Sequence, residues 1–169
     1  MGITIKPADI GNFKSVEQSR AYNSAMGIKK EFEEIAQNVM KCDDVVNLDI
    51  NSPNKGNVLV DEAKLRSLGV CSGKVIYNNE TKEPEAVDME IHKTGEYDKG
   101  TFRNDNHYKL EEVDNKQVYE RDTCTHWRAD WQQGTKTYKE KVVIDKSTGE
   151  MEYLLTPGKS FSAMTNPWT

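Results

Sequence analysis

The sequence predicts an α+β fold in which a long N-terminal helix packs against a curved antiparallel β-meander of roughly five to seven strands. Two observations carry the prediction. Residues 15–40 repeat apolar side chains at steps of four and three, the period of an amphipathic helix. From residue 74 onward that period gives way to short alternating stretches parted by turn formers about every eight to twelve residues, the pattern of antiparallel sheets. A length of 169 residues suits one core. The chain therefore reads as one domain, 1–169, with an arm at 1–12, a helix at 13–42, a connecting segment at 43–73, a sheet at 74–156 and a tail at 157–169.

In the arm, Ile3 and Ile5 alternate with polar neighbours before Pro7, which predicts a short edge strand. Ser15 and Gln18 then have the spacing of a capping box, so the helix should begin sharply. Its stripe is Ala21, Ala25, Ile28, Phe32, Ile35 and Val39, widened by Ala36 and Met40. Gly27 interrupts it at about 1 kcal/mol relative to alanine, which predicts a bend or a close packing partner. Residues 45–50 read as extended and 51–56 as a turn, and 58–68 as a strand with a helical turn. Within the sheet, Val87, Met89 and Ile91 alternate with Asp88, Glu90 and His92, the clearest strand. Residues 107–113 pair with 117–121 across Asp114-Asn115, and 137–145 with 150–155 across 146–149. Residues 93–100 read as a long polar loop, and the stretch from there through Asp105 is suited to binding a partner. Pro157-Gly158 is expected to end the sheet.

Composition narrows the function classes. Apolar residues make up 36% and charged residues 30%, more polar than an average domain yet with clear periodic segments. A net charge of −5 argues against sequence-independent nucleic-acid binding, which needs a basic surface. The start has no basic stretch followed by an apolar one, and no long apolar run follows, so neither a secretory leader nor a membrane span is expected. The three cysteines, Cys42, Cys71 and Cys124, are odd in number and scattered, which fits reduced thiols and a cytoplasmic location.

Four residue sets can carry chemistry. His92, His107, Cys124 and His126 are metal-ligand types, and Cys124 and His126, two apart in a strand, project together. The same pair can act as nucleophile and base. Asp88, Glu90, Glu111, Glu112 and Asp114 form an acidic run that reads as a solvated sheet face. Trp127, Trp131, Tyr138 and Tyr153 can line a ligand pocket between helix and sheet. In the set Trp127, Arg128, Trp131, Lys136, Tyr138, Lys139 and Lys141 rings can stack on bases or sugars and cations can follow phosphates, but Trp127 and Trp131 share a face with Ala129, which reads as a core wall packing against the helix. No catalytic or cofactor motif is present, and no cofactor is expected. The first expectation is a non-enzymatic protein-binding or assembly domain that engages a protein partner or forms a homodimer through sheet edges. A small-molecule carrier is the alternative, and a metal-dependent or Cys-His hydrolase the third reading.

Overall fold

The computed structural model describes residues 2–40, 46–47, 55–59, 70–78, 81, 83–97, 100–129 and 132–164. β1 (Ile3–Ile5) and a single 3-10 turn (Pro7–Asp9) lead into α1 (Val16–Met40). Eight further strands follow: β2 (Val46–Asn47), β3 (Lys55–Leu59), β4 (Val70–Asn78), β5 (Glu83–Tyr97), β6 (Gly100–Val113), β7 (Lys116–Ala129), β8 (Gln132–Asp145) and β9 (Met151–Met164). All pair antiparallel in one open sheet of order β1-β9-β8-β7-β6-β5-β4-β3-β2. β2 to β9 form a meander of sequence neighbours, and β1 joins at the far side of β9. The sheet holds more strands than the sequence predicts because segment 43–73, read as a connection, supplies β2, β3 and the start of β4. The remaining expectations for residues 41–45, 48–54 and 60–69 lie outside the described residues.

Ser15 caps α1, its Oγ accepting the Gln18 backbone N–H at 3.0 Å. Gln18 answers one residue earlier than a standard box, its Oε1 accepting the Lys14 N–H at 2.8 Å. Its amide nitrogen donates to the Thr4 carbonyl at 3.1 Å and to Asp9 Oδ2 at 3.0 Å. One buried side chain thus joins β1, the 3-10 turn and the helix start. Ala21, Ala25, Ile28, Phe32 and Ala36 are buried and Ile35 packs at the core margin, while the Val39 and Met40 side chains lie outside the described set. A Cβ on Gly27 would meet no atom within 4 Å, so a close packing partner is not the reason for glycine there.

The strand register explains the core. Val75, Val87, Leu110, Tyr119, Val142, Tyr153 and Ile3 stand directly across from one another over seven strands, all on the face toward α1. Phe32 enters this row edge-on to Tyr119 (5.2 Å, 81°) and to Tyr108 of the next row (5.4 Å, 80°), each contact adding roughly 0.5–1.5 kcal/mol beyond area burial. On the opposite face Asp88, Lys109, Glu120 and Lys141 alternate in sign across β5 to β8, which favours this register over a slip.

The hairpins at 114–115 and 146–149 form as predicted. Asp114 and Asn115 both take positive φ, +50° and +63°, the geometry of a two-residue turn that matches strand twist. Two expectations are corrected. The polar stretch 93–100 is not a long loop, because β5 runs on to Tyr97 and β6 begins at Gly100. β9 continues through Pro157-Gly158 to Met164, with a register irregularity opposite Lys136 to Tyr138 that accommodates the proline.

Candidate functional site

Past the core, the face toward α1 turns polar in a definite order. The row after Val87 is Met89, Tyr108, Arg121, Glu140 and Leu155. Arg121 donates to Glu140 on β8 and to Glu31 on α1, the Tyr108 hydroxyl donates to Glu31, and the Tyr153 hydroxyl donates to Glu140 Oε2 at 2.7 Å. Burial pulls the Arg121 pKa down, but bonds and charges from Glu140 and Glu31 more than offset it and hold the guanidinium charged. Burial, followed by the glutamates, pushes the hydroxyls of Tyr108 and Tyr153 up, so both remain donors.

Beside this network lies an open cleft of about 550 Å³, lined by Lys136, Tyr138, Glu140, Tyr153, Leu155 and Pro157. It brings together two of the four predicted ligand-binding residues, Tyr138 and Tyr153. Trp127 lies elsewhere. It shares the same face but sits two rows beyond Thr123, its ring over Gly134 so closely that a Cβ there would stand 2.4 Å from it. Phe102 covers Gly95 in the same row, so aromatic rings replace the missing side chains of two strand glycines. Trp131 lies outside the described residues.

The face away from α1 carries the predicted metal set. His92, Asp105, Cys124 and Thr137 follow one another across β5 to β8, with Arg103, His126 and Thr135 in the next row. Cys124 Sγ is 3.3 Å from His126 Nε2, and the same nitrogen is 3.5 Å from Asp105 Oδ2. Asp105 Oδ1 accepts Arg103 Nε at 2.8 Å and lies 3.6 Å from His92 Nδ1. His107 turns away and bonds Asp88 at 2.7 Å. The fold therefore gathers His92, Cys124 and His126 around Asp105 and sends His107 elsewhere. Among the described residues no three His, Cys, Asp or Glu side chains are arranged to hold a metal ion.

Sequence reasoning missed Asp105, Arg103 and Thr135, which only the register places beside Cys124 and His126. It also missed Glu140 and Arg121, although each carries a charge on the apolar phase of its strand, a visible signal of a buried pair. Among the described residues β1 covers β9 only at 151–153, and no strand lies beside 154–164 on the side away from β8. Leu155 and Phe161 stand 51% and 63% exposed along that edge, on opposite faces. No helix of the described residues is long and apolar enough to cross a membrane. Comparison of the chain with protein-family models, with curated proteins and with solved structures gives no match.

Proposed function

We propose that this protein is a non-enzymatic binding domain that takes an extended segment of a partner protein onto the edge of β9. The observation that carries this reading is the edge at residues 154–164, beside which no further strand lies among the described residues. Alternate residues of an edge strand direct N–H and C=O groups outward, and each bond to an added strand contributes about 1 kcal/mol net. Specificity would come from the two faces. On one, an incoming side chain reaches the cleft of Tyr138, Tyr153, Leu155 and Pro157; on the other it meets Phe161. Pro157 and Lys159 guard the edge against indiscriminate pairing, and Lys159 favours an acidic residue in the added strand.

The test is a screen of extended peptides, with amide hydrogen exchange on β9 as readout. A binding peptide should protect residues 154–164, and Phe161→Asp should weaken it about tenfold or more while leaving the melting temperature unchanged. Self-association that protects the same residues would assign the edge to a second copy. Protection confined to other surfaces, or no binding at all, would remove the reading. The cleft also favours a second reading, a small-molecule carrier, for which a ligand retained through purification and lost in Tyr138→Ala is the evidence to seek.

A further inference from the structure

We propose that Cys124 is a thiol–disulfide exchange site, at which a low-molecular-weight disulfide becomes joined to the protein as a mixed disulfide. The Cys124 thiol lies 3.3 Å from His126 Nε2, while Nδ1 of that ring is 3.2 Å from Thr135 Oγ1. A hydroxyl that accepts the ring proton at Nδ1 leaves the Nε2 lone pair toward the thiol, the tautomer a base requires. Once the proton has moved, Asp105 Oδ2 at 3.5 Å stabilises the imidazolium. Asp105 also stands directly across from Cys124, where a bare carboxylate would oppose a thiolate. Arg103, 2.8 Å from the other oxygen, offsets that charge.

The surroundings decide which thiol chemistry fits. Acyl transfer develops charge on a carbonyl oxygen and needs free donors to receive it. β7 is paired with both β6 and β8 around Cys124, so the ladders already occupy its backbone N–H groups. Disulfide exchange develops charge on sulfur and needs only a thiolate and an open approach. Cys124 has that approach: it is partly exposed and opens on a depression of about 500 Å³ bounded by His92, Thr137, Tyr138, Lys139 and Pro157.

In the step itself the Cys124 proton passes to His126 Nε2 and the thiolate attacks one sulfur of the disulfide. That S–S bond breaks as the protein–sulfur bond forms, and the departing thiolate takes the proton from His126. The small disulfide is the oxidant, and Cys124 rises to the disulfide level. His126 and Thr135 are positioning and base residues for one nucleophile.

Oxidised glutathione is the probe, with peptide mass spectrometry giving the rate at Cys124 in the native chain and in the same chain unfolded in urea. The native rate should exceed the unfolded one by about tenfold or more, because folding alone brings His126 to the thiol. His126→Gln should abolish that advantage, and Thr135→Val should reduce it. A native Cys124 that reacts no faster than in the unfolded chain overturns the proposal without recourse to any variant. So does a folded His126→Gln protein that keeps the full rate.

Discussion

Replacing Arg121 by methionine is expected to produce one of the largest single-residue losses of stability in this protein. The Glu140 side chain is 8% exposed, against 20% for Arg121 and 31% for Glu31. Methionine keeps much of the apolar stem but strands the Glu140 carboxylate in the core margin with the Tyr153 hydroxyl as its neutral partner. Breaking a buried ion pair in this way costs roughly 3–5 kcal/mol. Solvent screens the share that falls on Glu31, so the loss at pH 7 should lie near the lower end, about 3 kcal/mol. Against a total stability of roughly 5–15 kcal/mol that is a large fraction. The triple variant Glu31→Gln, Arg121→Met, Glu140→Gln removes the charges along with their partner and should lose only about 1 kcal/mol. Urea unfolding followed by circular dichroism, with midpoint and slope both fitted, measures each. If Arg121→Met costs less than about 1 kcal/mol, or the triple variant is no more stable than the single one, the network behaves as a surface ion pair and the reasoning fails.

Two further outcomes follow from the helix and the turns. Gly27→Ala should raise stability by about 1 kcal/mol, since α1 gains a helix former at a position where the new methyl meets nothing; a loss on thermal unfolding would mean the backbone there is not helical in solution. The Lys6 N–H bond holds the Asp9 carboxyl below its usual 3.8, and the Ser147 hydroxyl, together with the Ser147 and Thr148 N–H groups, does the same for Asp145. A lowered folded-state pKa contributes stability that is complete above the unfolded value and disappears as pH falls through the folded one. Asp9→Asn and Asp145→Asn should therefore flatten the fall in melting temperature below about pH 4, and an unchanged acid limb in both would count against these bonds.

Periodicity made the helix readable, because Ala21, Ala25, Ile28, Phe32 and Ala36 recur at helical spacing and all are buried. The hairpin at Asp114-Asn115 was readable for an equally local reason, as those residue types tolerate positive φ. Strand length was not. The outer halves of β5 to β8 lack the apolar alternation that marks a half-buried strand; they are held by cross-strand pairs such as Phe102 over Gly95, and pairing partners are invisible until the register is known. Pro157 misled for a related reason. It signals a strand end in the middle of a sheet, but among the described residues β9 at that point is an edge, where proline is tolerated. The cluster around Asp105 was half readable, since Cys124 and His126 share one strand. Asp105 and Thr135 come from neighbouring strands, and only the ladder brings them near.

The position of β1 has a consequence for the order in which the molecule can assemble. Every strand pair from β2 to β9 joins sequence neighbours, so each forms at a smaller loop-closure cost than a pairing between distant segments. β1 is different. Its only partner among the described residues is β9, while Gln18 fastens the start of α1 to β1 through the Thr4 carbonyl. The native seat of the N-terminal segment therefore does not exist until residues 151–153 are in place, so β1 cannot complete its pairing before the start of β9 is available.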